Sequence, residues 1–491
     1  MNLYSLFLKN LSKKKKIIFN KEVLTYSEFR DGINSICKSK IFFKSKRIAL
    51  ISGDQKFIAM MLFACSKNNA TLISINNDLA LNQIVQQLKL TKPDLIIYEG
   101  DNKFSKINSR QKKISKNLFL KDDKTEKIKE INSDMNKKFI VTFSSGTTSA
   151  PKAVVYSQKT KYLRYLQMKN IYRVKKNDTI FSASPMDHSL GQRLLFLALL
   201  NGSNFVYSSK YNFSEIKENI RKYKISFAVL PSNFLMLLKK KFLKKEIFIK
   251  KIVSAASTLT TLDKKSIIKS GIKLHEMYGA SEVGTVTSID FSKNYNEINS
   301  VGKVLKNIKL QILDENNKSL PKGIIGEIAC KTPLQFQGYY RNKTLTKKSF
   351  FKDYFKTGDL GKIDKNNFLY FVSRKHDVII SGGKNIYPID IEKELTKLQF
   401  IKEAAVIGIK DKFFGEVVFA VCVTKNKISN AESKIKEFLS KKLSKHQLPL
   451  GYAFEKCLLK NKLGKIRKNE IRLKYNSLKI DLTKNLRKIL N

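Results

Sequence analysis

Short apolar runs alternate with helix-length segments along the first half of the chain, and this order most constrains the fold. Six runs have the length of buried strands: RIALIS (47–52), TLISIN (71–76), DLIIYEG (94–100), TIFSASP (179–185), SNFVYS (203–208) and SFAVLPS (226–232). The segments between them have room for helices, and residues 54–70 carry apolar side chains at helical spacing. Strands separated by helices indicate parallel sheets with helices on both faces. The first half is therefore predicted to be α/β.

The pattern changes in the second half. Between residues 301 and 371, short alternating segments are punctuated by Gly, Pro and Asn, which favours antiparallel strands and a β-barrel-like part. A smaller α+β unit follows residue 377. A chain of 491 residues exceeds one ordinary core, so at least two domains are predicted. The polar, Lys-rich segment 101–138 is predicted to be a surface connection.

The charge of the chain is strongly positive. Lys and Arg total 95 against 41 Asp and Glu, a formal net charge of +54. Such an excess is typical of proteins that bind nucleic acid or anionic membranes. Here the basic residues are spread along the whole chain, and no RRM, KH or helix-turn-helix string is present. No specific nucleic-acid partner is predicted, although a basic nucleic-acid-binding protein stays as an alternative that sequence-specific binding would support.

The cysteine spacing and the length of the apolar runs indicate the cellular compartment of the protein. The five cysteines are far apart and form no CxxC pair: Cys37, Cys65, Cys330, Cys422 and Cys457. This spacing indicates neither disulfides nor a zinc site and fits a reducing cytoplasm. No apolar run approaches the ~20 residues of a membrane-spanning helix, and the first residues lack the order of a secretory signal. A cytoplasmic protein without a transmembrane segment is predicted, with peripheral membrane contact left open.

One segment carries the clearest chemistry. FIVTFSSGTTSAPKAVV (139–155) is an apolar strand, then a run of small and hydroxyl residues, then a proline, a lysine and a second apolar strand. Small residues let backbone N–H groups approach phosphate oxygens, hydroxyls donate further hydrogen bonds, and lysine adds charge. The phosphate-binding candidates are Ser144, Ser145, Gly146, Thr147, Thr148 and Lys152. By residue type alone, a polar hairpin turn explains the segment as well.

As a string, the segment resembles the [ST]SGTTGxPK loop of the adenylate-forming superfamily, which includes acyl-coenzyme A synthetases. Ser149 stands where that superfamily usually has glycine. Four further segments resemble the superfamily's motifs in the same order: MYGASEVG (277–284), YFKTGDLG (354–361), SRKHDVIISGGKNIYPIDIE (373–392) and NKLGKIRKNEI (461–471). The resemblance spans roughly residues 25–470.

The resemblance implies a nucleotide site. Tyr278 and Gly279 would lie against adenine, Ser281 near the phosphate, and Asp359 at the ribose. Arg374 would contact the ribose or a phosphate. Glu282 would hold Mg²⁺, assisted by Thr147. Lys465 would reach the substrate carboxylate and the α-phosphate. The catalytic residues so implied are Lys465, Glu282 and His188, the last from PMDHSLG (185–191), which resembles a segment beside the acyl pocket. A histidine satisfied in a core explains His188 as well.

The resemblance also implies two domains that move. Residues 1–373 would bind AMP and the acyl group, and residues 374–491 would form a mobile domain with its hinge near His376. After rotation, Gly382, Gly383 and Lys384 would face the thiol tunnel. His376 and Ser281 depart from the superfamily's usual residues.

The predicted function is that of an acid–thiol ligase. It would activate a carboxylic acid with ATP and Mg²⁺ to an acyl-AMP and pass the acyl group to coenzyme A. SGGKNIYP favours the coenzyme A ligases within the superfamily. The alternatives are a carrier protein or an amine as acceptor, oxidation of the acyl-AMP, and an inactive relative. Fatty, aryl and short branched acids all stay open as substrates.

Overall fold

The computed structural model describes residues 2–100, 104, 111–121, 134–144, 152–208, 213–232, 234–236, 249–255, 259–426, 428–460 and 466–478. Its strands, in chain order, are β1 (Lys16–Phe19), β2 (Glu22–Thr25), β3 (Arg47–Ile51), β4 (Thr71–Ile75), β5 (Leu95–Tyr98), β6 (Lys112–Ser115), β7 (Lys138–Ser144), β8 (Lys152–Ser157), β9 (Thr179–Ser182), β10 (Asn204–Tyr207), β11 (Phe227–Pro231), β12 (Lys251–Ala255), β13 (Lys273–Ala280), β14 (Gly284–Asp290), β15 (Gly302–Val304), β16 (Lys309–Leu313), β17 (Gly326–Lys331), β18 (Phe350–Phe351), β19 (Tyr354–Ile363), β20 (Phe368–Arg374), β21 (Ile379–Ser381), β22 (Lys384–Ile386), β23 (Ile401–Asp411), β24 (Gly415–Thr424) and β25 (Gly451–Phe454).

The helices, also in chain order, are α1 (Leu3–Leu8), α2 (Tyr26–Lys38), α3 (Lys40–Lys44), α4 (Gln55–Lys67), α5 (Leu81–Thr91), α6 (Lys116–Leu120), α7 (Gln158–Tyr172), α8 (Ser189–Asn201), α9 (Phe213–Lys222), α10 (Thr261–Lys269), α11 (Lys343–Lys348), α12 (Pro388–Leu395), α13 (Ala431–Ser440) and α14 (Lys468–Ser477). Short 3₁₀ turns lie at Tyr295–Glu297, Lys375–Asp377 and Lys445–Gln447.

The first sheet has the order β6-β5-β3-β4-β7-β8. Its pairs are parallel except for the last, β7 with β8. The central strands β3 and β4 are buried along almost their whole length, as strands covered on both faces must be. The predicted α/β organisation is confirmed here.

The second sheet runs β16-β17-β19-β20-β15-β14-β13-β12-β11-β9-β10-β1-β2, and β18 pairs with β19. The half from β13 to β1 is parallel, and from β13 onward towards β16 every neighbouring pair is antiparallel. The predicted antiparallel strands therefore belong to the same sheet as the parallel strands, and the change of direction occurs at the β13–β14 hairpin.

Two apolar helices join these sheets. Helix α4 is buried on all sides over residues 57–66, and α8 is buried over residues 191–192 and 194–201. A helix that is apolar all round lies inside a protein. Both helices belong to one core cluster with residues of both sheets, including Leu50 from β3 and Val253 from β12.

The third sheet forms the smaller unit, in the order β22-β21-β24-β23 with β25 parallel to β24. Helices α12 and α13 cover one face, where Ile391 and Leu439 pack on Val406 and Val418. Helix α14 packs on the other face through Ile471 and Tyr475. The predicted small α+β unit is present.

The prediction for residues 101–138 is wrong in part. Within that segment Lys112–Ser115 forms β6, a parallel edge strand on β5, and Lys116–Leu120 forms α6. The Lys-rich composition concealed them because an edge strand buries little of its surface. Within the described ranges, no helix combines the length and apolar character that crossing a bilayer requires.

Candidate functional site

The β13–β14 hairpin lies at the junction between the parallel and antiparallel halves of the large sheet. It carries Tyr278, Gly279, Ser281 and Glu282, with a register shift after Tyr278. A Cβ atom at Gly279 would lie 1.9 Å from the Gly284 carbonyl oxygen. Only glycine fits this close backbone approach, so the hairpin geometry itself requires it.

Tyr278, Asp359 and Arg374 meet on one side of this hairpin. The Tyr278 hydroxyl donates to Asp359 Oδ2 at 2.8 Å, and Arg374 Nε lies 2.8 Å from Asp359 Oδ1. Asp359 is 2% exposed. Burial, and then the Asp359 charge, raise the pKa of Tyr278 well above its ordinary value, so the hydroxyl stays a donor. An ionised carboxylate has about four lone-pair sites, so Asp359 can accept further hydrogen bonds from a sugar.

Glu282 lies at the turn of the hairpin and faces Tyr339. The Tyr339 hydroxyl donates to Glu282 Oε1 at 3.0 Å. Lys152 Nζ lies 5.8 Å from the centre of the Tyr339 ring. The lysine that ends the predicted phosphate loop and the predicted metal ligand therefore both lie near Tyr339. Burial, and then the Glu282 charge, raise the pKa of Tyr339.

Arg164 holds the hairpin from behind. Its guanidinium donates to the carbonyls of Ser281 (2.9 Å) and Glu282 (3.2 Å) and, through Nε and Nη2, to that of Leu334 (3.0 and 2.8 Å). The guanidinium carbon lies 4.8 Å from the centre of the Tyr156 ring, and Tyr156 also donates to the Ser281 carbonyl. Arg164 is 2% exposed. Helix α7 therefore fixes the backbone that presents Glu282.

His188 is the residue before helix α8. Its ring is partly exposed, with Nε2 4.0 Å from Asp187 Oδ2. Three residues later, a Cβ at Gly191 would lie 2.1 Å from the Pro185 carbonyl oxygen. The tight turn at 185–191 therefore needs its glycine to place His188 at the helix start.

The predicted hinge and thiol-site residues lie around the start of the small unit. Gly382 and Gly383 have φ of +54° and +75° and form the turn between β21 and β22, and Lys384 follows, exposed, in β22. His376 lies in the 3₁₀ turn after Arg374, where its carbonyl accepts a hydrogen bond from Arg472. The adjacent Lys375 pairs with Glu327 of β17 at 2.9 Å.

Several predicted residues lie outside the described part of the chain: Ser145, Gly146, Thr147, Thr148, Ser149 and Lys465. Their flanks are described. Ser144 and Lys152 pair as the last rung of β7 and β8, and a bridge joins Lys460 to Ile466.

Two residues of the site escaped the sequence prediction, Arg164 and Tyr339. Arg164 is one of 95 basic residues, and nothing in its local string separates it from a solvated helix residue. Tyr339 lies in the stretch FQGYY (336–340), directly after Gly338. The pair of aromatic residues after a glycine was the only sequence signal for it.

Comparison with known proteins decides the family. Residues 8–340 match the AMP-binding enzyme family, and residues 390–465 match the AMP-binding enzyme C-terminal domain. The chain belongs to the AMP-binding enzyme family. This confirms the predicted superfamily.

Among curated relatives, the chain is 25% identical to a putative acyl–CoA ligase, YdaB of Bacillus subtilis, over 91% of this chain and 93% of that protein. It is 24% identical to the 2-succinylbenzoate–CoA ligase of Bacillus pumilus, covering 93% and 94%. The fold matches the Bacillus subtilis o-succinylbenzoate CoA synthetase MenE in complex with its acyl-adenylate intermediate, with a TM-score of 0.86, 20% identity, and coverage of 95% and 97%. The predicted fold class and ligase class are confirmed.

Proposed function

We propose that this enzyme joins a carboxylic acid to coenzyme A in two steps. In the first, a carboxylate oxygen attacks the α-phosphorus of ATP, the α–β phosphoanhydride bond breaks, and pyrophosphate leaves. In the second, the coenzyme A thiol attacks the acyl carbon, the bond to AMP breaks, and the thiol proton is released. The mixed anhydride is needed because a free carboxylate would have to expel oxide.

One observation carries the proposal: two separate groups of predicted nucleotide residues meet on the β13–β14 hairpin. Tyr278 joins Asp359 and Arg374, which come from β19 and β20. Glu282 joins Tyr339 and, through it, Lys152. A candidate ribose acceptor (Asp359), a lysine for the phosphates (Lys152) and a carboxylate for Mg²⁺ (Glu282) together fit a nucleoside triphosphate.

The donor set at Glu282 fits magnesium. Mg²⁺ binds oxygen, retains several waters, and takes one or two carboxylates together with substrate phosphates. The Tyr339 hydroxyl donates to Glu282 Oε1 and so orients the carboxylate that would hold the ion. The ion would neutralise charge on the phosphates. In our proposal Thr147 adds a hydroxyl ligand.

The first step has to bring two anions together, so it needs cations and fixed donors more than a general base. We assign this work to Lys465, Lys152 and the loop residues Ser144, Ser145, Gly146, Thr147 and Thr148, with His188 beside the acyl group. The described residues that flank Lys465 make contacts of their own. Lys460 bridges to Ile466, and Lys468 pairs with Glu392 of α12 at 2.7 Å.

The second step needs a different arrangement, because the thiol approaches the acyl carbon and not the phosphorus. We propose that the domain of residues 374–491 rotates about His376 and brings Gly382, Gly383 and Lys384 to the thiol while Lys465 withdraws. The left-handed turn at Gly382–Gly383 presents backbone without side chains, as a narrow thiol channel requires. Reaction in the cytoplasm fits the five cysteines, all unpaired.

The test is pyrophosphate release from Mg·ATP across a panel of carboxylic acids, with and without coenzyme A. We expect acid-dependent release that coenzyme A accelerates, with an acyl-thioester as product. Release without thioester would reassign the acceptor to a carrier protein or an amine. No release with any acid, in a protein that binds ATP, would contradict the proposal and favour an inactive relative.

A further inference from the structure

Three basic side chains of the described residues meet inside the large domain, where helices α7 and α8 pack together. Lys161 and Arg164 come from α7 and are 3% and 2% exposed. Arg193 comes from α8 and is part-buried. We call these three residues the interior cation cluster. Buried charge is costly unless it is paired, so the partners of the cluster decide its role.

The hydrogen-bond partners of the cluster are neutral. Lys161 Nζ donates to Gln192 Oε1 at 2.7 Å and lies 3.7 Å from the centre of the Tyr156 ring. Arg164 donates hydrogen bonds to the backbone carbonyls of Leu334, Ser281 and Glu282. Arg193 Nη1 donates to Thr285 Oγ1 at 2.9 Å.

The charge of the cluster is only partly compensated: burial lowers the pKa of Arg164, and the opposing effect of the Glu282 carboxylate, which raises it, is smaller. Burial, and then repulsion by the two arginines, lower the pKa of Lys161 well below its ordinary value. Burial, and then Arg164, lower the pKa of Arg193 to about 10. Within the described residues, Arg164 Nη1 and Arg193 Nε are buried and have no hydrogen-bond partner. Both orphan N–H groups are donors that an anion would satisfy.

The position of Arg193 separates it from the nucleotide. Its partner Thr285 also contacts Met277 Sδ, at 3.6 Å. Successive side chains of a strand point to opposite faces, and Tyr278, the next residue, points to Asp359. Arg193 therefore lies across β13 from the proposed ribose site, on the side where His188 begins α8.

Within the cluster, Arg193 is the member able to meet a ligand. Arg164 is almost fully enclosed and engaged by three carbonyls. Lys161 is enclosed too. Arg193 is only half-buried as a residue, and its Nε, which lies inside, has no hydrogen-bond partner among the described residues. An acyl chain ending there in carbon would bury the guanidinium against apolar surface, whereas a carboxylate would pair with it and accept from its fork of donors.

We propose that Arg193 binds a second carboxylate on the acid that this enzyme activates, so that the substrate is a dicarboxylic acid. The inference rests on the proposed function, since it concerns the acid of that same reaction. One carboxylate meets the α-phosphate, and the other ends at Arg193 in the interior cation cluster. Arg164 keeps its role at the hairpin.

The experiment compares dicarboxylic acids with their own monomethyl esters. The ester keeps the shape and one reactive carboxylate and removes the second charge. The panel covers straight chains of three to eight carbons and two aromatic diacids, with pyrophosphate release as readout. We expect at least one diacid to exceed its monoester in kcat/KM by about 10- to 100-fold, the usual effect of a hydrogen-bonded charge.

Variants then test the residue. Arg193→Met should bring the diacid-to-ester ratio close to one through a higher KM for the diacid, and Arg193→Lys should retain part of the ratio. Lys159→Met, an exposed position two residues before Lys161 on the same helix, is the matched control and should keep the ratio. An equal fall for diacid and ester in Arg193→Met would show a structural role and overturn the inference.

The outcomes separate this inference from the proposed function. If monocarboxylic acids and esters release pyrophosphate as well as any diacid, the ligase function stands and the Arg193 site is refuted. If no acid is turned over, calorimetric titration of the diacids in the presence of AMP decides the site. Tighter binding of a diacid to the parent than to Arg193→Met supports it, and equal binding refutes it.

Discussion

Replacing Arg164 with methionine tests whether helix α7 holds the hairpin that presents Glu282. Methionine keeps most of the apolar packing of the arginine stem and removes every donor. The carbonyls of Ser281, Glu282 and Leu334 then lose their hydrogen bonds from Arg164. The Ser281 carbonyl keeps a bond from the Tyr156 hydroxyl at 3.0 Å, and that of Glu282 keeps one from the Phe336 amide at 2.6 Å.

The magnitude follows from this count. Leaving a buried acceptor unsatisfied costs about 1–3 kcal/mol, and Leu334 bears most of this cost because two bonds from Arg164 reach it. The other two carbonyls each lose one of two donors. Removing the cation returns some free energy, because burial already lowers the pKa of Arg164. We expect a net loss of about 2–3 kcal/mol in the free energy of unfolding, within the usual range for a broken buried network.

The assay pairs urea unfolding with steady-state kinetics in Mg²⁺. A hairpin freed from α7 should also bind Mg·ATP more weakly. A loss of about 1.4 kcal/mol in the free energy of binding would raise the KM for Mg·ATP about tenfold. Lys159→Met, exposed on the same helix, controls for loss of a positive charge from α7. If Arg164→Met unfolds within about 0.5 kcal/mol of the parent, the size expected of an ordinary surface change, and its KM for Mg·ATP is unchanged, Arg164 does not hold the hairpin.

Three further variants probe the nucleotide site and the two steps. Asp359→Asn should raise the KM for Mg·ATP about tenfold, because Arg374 loses its ion pair and the ribose loses a charged acceptor; an unchanged KM would remove Asp359 from the site. Gly279→Ala should destabilise the fold by about 3 kcal/mol or more, because the added methyl would lie 1.9 Å from the Gly284 oxygen, and thermal unfolding of the variant checks this. Lys465→Ala should abolish pyrophosphate release and keep thioester formation from supplied acyl-AMP. Equal loss of both activities would show that the role of Lys465 is not confined to the first step.

The sequence was sufficient where local pattern and tertiary burial agree. The parallel strands β3, β4 and β9 to β11 were predictable because short apolar runs are what a strand buried on both faces requires. Tyr278 and Asp359 were predictable through motifs, although 81 residues separate them and nothing local shows that they share a hydrogen bond.

The features that the sequence did not predict depend on contacts between parts of the chain that are far apart in sequence. Strand β6 is polar because it lies at a sheet edge, so its composition resembles a loop. Arg164 and Arg193 look like surface residues in a basic chain, and only the packing of α7 on α8 encloses them. The pairing of Tyr339 with Glu282 spans 57 residues and has no periodic signal.

The most direct test of an acyl-adenylate reaction follows oxygen. A turned-over acid labelled with ¹⁸O in its carboxylate is incubated with Mg·ATP and coenzyme A, and the AMP is examined by mass spectrometry. Attack on the α-phosphorus followed by thiol attack on the acyl carbon leaves one ¹⁸O in each AMP, and this is the result we predict. Unlabelled AMP, or label in inorganic phosphate with ADP as product, would contradict adenylate formation.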